Sequence, residues 1–397
     1  MVQSALMLVS QSVVSLNRWA VLLGILGNTC VAKQSLWERI HQGTVDFLQR
    51  VLAIVLGQQI LPDTSSSVPK ALRAFTRVLV QDSTTIKLSE KLAAAFPGSS
   101  NQFGVKNGQL KIQAIYDLLT QRFISFGLSG FTRNDQAAAG DVLAVLQAGD
   151  LVLRDLGYFV MESFQRIAQA KAFFVSRMRL DTSVRDPHTS KALKLLNQLR
   201  RLGNLDRQVL LGTQKMPVRL VAIKLPPAVA AERRRKARQN RDRRCRPNAT
   251  SLALLGWAIF ITNVSSEVLD AQTVAKVYGL RWRIETIFKA WKSHFRITDV
   301  PSGSEFQLLS IIYARLIFVT VLAQVCSAGW LMPWRENHPP PRSLLRIAAL
   351  VGDFFLILCL EAWNLKLTDA LLLQFDYHGR YDRRARQNYP QLLAELS

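Results

Sequence analysis

"VYGLRWRIETIFKAWKSHF", Val277 to Phe295, is the stretch on which the reading of this chain turns. At about 100° per residue, Tyr278, Arg281, Glu285 and Lys292 fall within a wedge of about 60°. Leu280, Ile284, Ile287 and Trp291 take a different face. The pattern predicts one amphipathic helix that buries an apolar stripe and presents a polar row. Intrahelical ion pairing accounts for a carboxylate among cations just as well, and Glu285 with Lys289 has the right i,i+4 spacing. The weight must come from elsewhere in the chain.

It comes from two short apolar runs that stop on a carboxylate. "VLVQD" ends at Asp82 and "LVLRD" at Asp155, and the carboxyl ends of strands are where sites collect in α/β folds. An acid ending a strand is also an ordinary turn residue or helix cap. Two such strands and a carboxylate-bearing helix supply three acids able to converge. Three oxygen donors suit Mg²⁺ or Mn²⁺, and the chain has no His/Cys cluster for zinc. Two such ions about 3.5 to 4 Å apart can drive phosphodiester displacement, with the cations beside Glu285 holding phosphates in line. The residues therefore predict a metal-dependent nuclease or strand-transfer enzyme.

Composition agrees. The 397 residues include 51 Lys and Arg against 28 Asp and Glu, a formal net charge of +23, which implies a polyanionic partner, nucleic acid or an anionic membrane surface. The four cysteines, Cys30, Cys245, Cys326 and Cys359, have no CxxC spacing, so neither a disulfide framework nor a zinc knuckle is expected. A reducing cytoplasm follows. "WAVLLGILG" (Trp19 to Gly27) has no convincing cleavage site after it and is expected to be a packed helix. The runs Leu308–Trp330 and Leu344–Trp363 approach membrane-spanning length. Arg315 and Gln324 interrupt the first, Arg346 and Asp353 the second, as in buried helices of a large core.

Along the chain, residues 1–70 carry helical periodicity and end in the breaker-rich "LPDTSSSVP" (Leu61 to Pro69). Strands are expected at Arg77–Asp82, Leu110–Leu118, Arg122–Gly130, Leu151–Asp155 and Ala172–Arg177, with a helix over Asn134–Asp150. That order describes a mixed α/β domain. Residues 178–262 turn polar, with strand candidates at Val218–Leu225 and Trp257–Asn263. They also hold "ERRRKARQNRDRRCR" (Glu232 to Arg246), nine cations against two acids. A solvated charged helix would look the same, but a phosphate-contacting arm is favoured.

With these residues in view, the chain resembles a DDE transposase of insertion-sequence family four, a cut-and-paste bacterial transposase whose mark is Y-x2-R-x3-E-x6-K. Tyr278, Arg281, Glu285 and Lys292 match all four positions, and "VQDSTTIKL" (Val80 to Leu88) and "RDLGYF" (Arg154 to Phe159) match the segments around the two catalytic aspartates. The resemblance implies an α/β, RNase H-like mixed sheet with flanking helices, interrupted by a β-rich insertion and flanked by helical N- and C-terminal regions. The implied divisions are 1–70 (transposon-end binding), 71–177 and 263–330 (catalytic), 178–262 (insertion with the basic arm) and 331–397 (dimerisation). It implies that Asp82, Asp155 and Glu285 bind two Mg²⁺ or Mn²⁺ ions, and that Tyr278, Arg281, Lys292, Arg177 and Trp257 contact DNA, the tryptophan stacking on a flipped base. Its partners would be double-stranded DNA with terminal inverted repeats and target DNA, its product a hairpin end followed by strand transfer, and its synaptic form a homodimer. A cytoplasmic, nucleoid-associated place and no membrane follow. A catalytically inactive transposase-derived DNA-binding protein would keep charge and fold without the three acids. A basic membrane-associated protein would leave those acids unexplained.

Overall fold

The computed structural model describes residues 15–27, 30–58, 68–100, 106–239, 247–327, 343–361 and 389–396. The strands are β1 (Val78–Leu88), β2 (Pro97–Ser100), β3 (Lys106–Asp117), β4 (Arg122–Gly130), β5 (Leu151–Arg154), β6 (Phe173–Arg177), β7 (Val184–Arg185), β8 (Leu205–Leu211), β9 (Met216–Lys224) and β10 (Trp257–Thr262). The helices are α1 (Leu16–Gly27), α2 (Lys33–Arg39), α3 (Gln42–Gly57), α4 (Met161–Gln169), α5 (Leu195–Leu202), α6 (Pro227–Arg238), α7 (Ala249–Leu254), α8 (Ala271–Gly279), α9 (Trp282–Ser293), α10 (Glu305–Ser327), α11 (Leu344–Glu361) and α12 (Tyr389–Ala394). The breaker-rich segment 61–67, the last seven residues of the basic run and the proline-rich 332–342 lie outside the described residues.

Two compact units are built from interleaved segments. The first takes 1–66, 83–134 and 282–387, the second 67–82, 135–281 and 388–397. The second is a mixed α/β layer with strand order β1-β5-β6-β10-β9-β8-β7. β1, β5 and β6 run parallel and β10 then turns the sheet antiparallel. The parallel strands are continuous apolar runs, as strands covered on both faces must be. The side chains of Val78, Leu79, Val80, Leu151, Val152 and Leu153 are all buried. Their starts are fastened by Arg77, which reaches Asp150 at 2.9 Å and the Val145 carbonyl at 2.8 Å. Helix α4 lies on one face, where Phe164 meets Phe174 with ring centroids 4.7 Å apart. On the other face lies α8, where Tyr278 meets Phe260 at 5.1 Å.

In the first unit β3 pairs antiparallel with β2 and β4. The apolar run that begins at Leu308 lies, as far as Ser327, in α10, whose span Glu305–Gln324 is long and apolar enough to cross a membrane by length and composition, yet mostly buried inside this unit as a core helix is. Its polar interruptions have inward partners. Arg315 donates to the carbonyls of Ile297 and Asp299 at 3.3 and 2.8 Å, and burial pulls its pKa down to about 10. Gln324 donates to the Val55 carbonyl of α3 at 2.8 Å. "WAVLLGILG" belongs to α1, a packed helix as expected: Trp19 and Ala20 are buried against Leu36, Ile40, Ile311 and Ala314.

Three expectations need correction. Asn134–Asp150 is a series of turns with one short 3₁₀ segment, Asp141–Ala144. Its alanines are held as a tight loop over the sheet: the carbonyls of Ala138 and Ala139 accept from Gln81 (2.7 Å) and Ser163 (2.9 Å), and such tertiary bonds override local helix propensity. Asp82 does not end its strand, because β1 continues to Leu88. Val277–Phe295 is not one helix. It breaks at Leu280–Arg281, where the backbone N–H groups of both residues reach back three positions, to Val277 and Tyr278. The chain also passes from one unit to the other there, between Arg281 and Trp282.

Candidate active site

The second unit sets three of the eight candidate residues in one row. In the register of the parallel strands, Gln81 lies opposite Arg154 and Arg154 opposite Ser176. One residue further along, Asp82, Asp155 and Arg177 therefore sit side by side on three neighbouring strands, and Arg177 pairs in turn with Phe260 of β10. Because side chains alternate between faces, this row points away from Gln81, Arg154 and Ser176 and toward α8.

The hidden face fixes the visible one. Arg154 is fully buried and donates to Gln81 at 3.0 Å and to Ser163 at 2.7 Å. Burial lowers its pKa to about 10, with Tyr158 and Asp141 partly opposing. The residues preceding both aspartates are thus joined by a buried side-chain bond, which holds β1 and β5 in register under the carboxylates.

Over the row, the Tyr278 hydroxyl donates to Asp155 Oδ1 at 3.3 Å. Arg281 Nη1 reaches Asp82 Oδ2 at 3.5 Å, and its guanidinium lies 5.7 Å from the centre of the Tyr278 ring. Burial pushes the Tyr278 hydroxyl up to about 12, against the lowering pull of Arg281 and Arg177 and with a raising contribution from Asp155. The phenol therefore stays protonated and can act as a donor. Both carboxylate contacts are long for charge-assisted hydrogen bonds, which run near 2.8 Å.

Glu285 and Lys292 stand on α9, in the first unit. Seven residues apart, they share a side of that helix. Glu285 is part-exposed and Lys292 exposed, while Ile284, Ile287, Phe288 and Trp291 bury the opposite side. Among the described residues, no group of three or more His, Cys, Asp and Glu is placed to hold a metal ion. Asp82 and Asp155, adjacent and offering only oxygen, fit a hard divalent cation such as Mg²⁺. Trp257 is not in the row: three residues from Phe260 along β10 it faces the other side of the sheet, and its indole N–H donates to the Gly203 carbonyl at 2.6 Å. Sequence reasoning missed Gln81, Arg154 and Phe260, since only the register shows what they support.

An α/β layer with paired carboxylates on neighbouring parallel strands, overlaid by Tyr and Arg, in a chain of net charge +23, defines a class of enzyme acting on phosphodiesters. Residues 73–317, more than half the chain, match the transposase DDE domain family, and the chain belongs to it. It is 28% identical over 334 residues to the transposase for insertion sequence element IS231F of Bacillus thuringiensis subsp. israelensis, covering 78% of this chain and 69% of that protein. It is also 28% identical over 308 residues to the transposase for insertion sequence element IS1151 of Clostridium perfringens, covering 72% of this chain and 64% of that one. These matches make the enzyme a DDE-type insertion-sequence transposase, acting in DNA transposition. The piggyBac transposase synaptic complex with hairpin DNA aligns with 98% of this chain and 77% of its own, at 12% identity and a TM-score of 0.41, a likeness too loose to carry an argument.

Proposed function

We propose that the chain is a cut-and-paste transposase of insertion-sequence family four, with Asp82, Asp155 and Glu285 as its three catalytic carboxylates. The observation that carries this is the row of Asp82, Asp155 and Arg177 on adjacent strands, covered by Tyr278 and Arg281. The catalytic domain is RNase H-like, with residues 178–262 as a β-rich insertion between Asp155 and Glu285. Two Mg²⁺ or Mn²⁺ ions would be held by the three carboxylates, and when bound they activate an attacking oxygen and stabilise the leaving one. Arg281 and Tyr278 orient the phosphates beside the two aspartates, and Lys292 and Arg177 add phosphate contacts. Attack on phosphorus forms one P–O bond as another breaks, first at the transposon end, through a hairpin, and then in target DNA. Synapsis of two inverted-repeat ends takes a homodimer.

The test is cleavage of duplex DNA carrying the inverted repeat that flanks the reading frame. Asp82→Ala, Asp155→Ala and Glu285→Ala are each expected to lose Mg²⁺-dependent cutting by at least about a thousandfold, about 4 kcal/mol of barrier, while still binding the ends. EDTA should reproduce the loss in the unmodified protein. Normal cutting by any one of the three removes that residue from the site.

A further inference from the structure

Arg219 of β9 stands outside the row, yet it is almost wholly buried and its guanidinium is engaged on both edges. One edge takes the Asp206 carboxylate of β8 in a two-pronged pair, Nε to Oδ1 at 2.7 Å and Nη2 to Oδ2 at 2.6 Å. From the other edge, Nη1 donates to the carbonyls of Leu269 at 2.6 Å and Val264 at 3.2 Å. Both carbonyls belong to the connection between β10 and α8. The residue after Leu269 is Asp270, the N-cap of α8, whose side chain accepts from the Thr273 N–H at 2.8 Å. A planar fork that serves a carboxylate and two carbonyls at once holds all three in one geometry, which a single ammonium cannot do.

The sheet register puts Arg219 on the face that carries the row. On β10, Thr262 lies opposite Arg219 and Phe260 opposite Val221, and Phe260 lies opposite Arg177. Directly paired residues share a face, as do residues two apart. Helix α8 therefore has two attachments to that face, Arg219 at its start and the Tyr278 ring on Phe260 at its end. All of these residues lie in the second unit. The nine residues of α8 make a rod of about 13 Å at about 1.5 Å per residue, so a shift or turn at its start is carried to Tyr278. The hydroxyl has little slack, being already 3.3 Å from Asp155 Oδ1.

We propose that Arg219 is a positioning residue for the cleavage reaction: by fixing the start of α8 it sets the Tyr278 hydroxyl on Asp155. This rests on the reading of the Asp82-Asp155-Arg177 row as the catalytic centre with Tyr278 as a donor. Strands β8 and β9, outside the row, thereby shape it.

The experiment compares the full chain with Arg219→Lys, Tyr278→Phe and the double variant. End cleavage is measured at saturating inverted-repeat duplex and Mg²⁺, well below the melting temperature of each protein. Arg219→Lys keeps the charge and loses the fork. It is expected to melt earlier, to bind ends within about twofold of the unmodified protein and to cut about fivefold more slowly, since misplacement by about 1 Å costs up to about a hundredfold. In the Tyr278→Phe background the same substitution is expected to cost nothing further, because the group it positions has gone. Losses that multiply overturn the proposal, as does a folded Arg219→Lys that cuts at the unmodified rate. A second readout needs no DNA: with tyrosines labelled at Cζ by carbon-13, the resonance missing from Tyr278→Phe reports the hydrogen bond of that hydroxyl. Arg219→Lys should move this resonance, and an unmoved one overturns the link. Should Arg219→Lys not fold, Asp206→Asn, at a side chain one-third exposed, loosens the same fork, and the same readings apply with smaller losses. Failure of the unmodified protein to cut its ends sinks the catalytic reading of the row, and the resonance alone then decides whether Arg219 holds Tyr278.

Discussion

Tyr278 shows how one side chain can serve two purposes at this site. Its ring packs on Phe260 while its hydroxyl reaches Asp155, and burial keeps the phenol protonated far above neutral pH. Tyr278→Phe removes the hydroxyl and keeps the ring. Stability should change by no more than about 1 kcal/mol, the net worth of one hydrogen bond, while end cleavage should fall by about tenfold. Equal cleavage rates for the two proteins would show that the hydroxyl only fills space. Arg154 illustrates the opposite case, a charge with no exposed surface whose place is to hold Gln81 and Ser163 under the aspartates. Nothing in "LVLRD" distinguishes the hidden arginine from the part-exposed aspartate beside it. The alternation of the strand and the parallel register assign them to opposite faces.

At the scale of elements, the parallel trio β1, β5 and β6 depends on one loop. Gly149 has φ +85°, its N–H donates to the Lys171 carbonyl at 2.9 Å, and its carbonyl accepts from Thr76 at 3.0 Å. A Cβ there would stand 2.6 Å from the Thr76 hydroxyl. Gly149→Ala combines a left-handed backbone with that clash and is expected to cost about 1–3 kcal/mol, read as a lower denaturant midpoint with unchanged slope. An unaffected midpoint would mean the strand starts are held by Arg77 and Asp150 alone. The break at Leu280–Arg281 is the other decisive feature. Periodicity carried Tyr278 and Arg281 onto the same helix as Glu285 and Lys292, because apolar spacing runs on through the break. The backbone instead turns there, pairing Tyr278 and Arg281 with the two aspartates, while Glu285 and Lys292 keep their own two-turn spacing on α9.

For the whole molecule, synapsis is expected to be two-fold: two protomers and two inverted-repeat ends in one complex, with cleavage rising more steeply than first order in protein. Analytical ultracentrifugation with labelled ends checks the stoichiometry, and a cutting-competent complex of one protomer on one end would rule the dimer out. The sequence by itself determined seven of the ten described strands, the excess of basic residues and the order of Asp82, Asp155 and Glu285, because strand-forming apolar runs, charge and residue identity are local properties. It also placed the polar interruptions of the long apolar helix, although their carbonyl partners are distant in the chain. Only the tertiary structure decided that Asp82 lies within β1 and not at its end, that Asn134–Asp150 is a loop, that Trp257 faces away from the row, and that Val277–Phe295 is two helices. Each depends on bonds to residues far away in the chain. A long-range hydrogen bond or a shared sheet register can overrule helix propensity worth a few tenths of a kcal/mol per residue, and no window of sequence contains those partners.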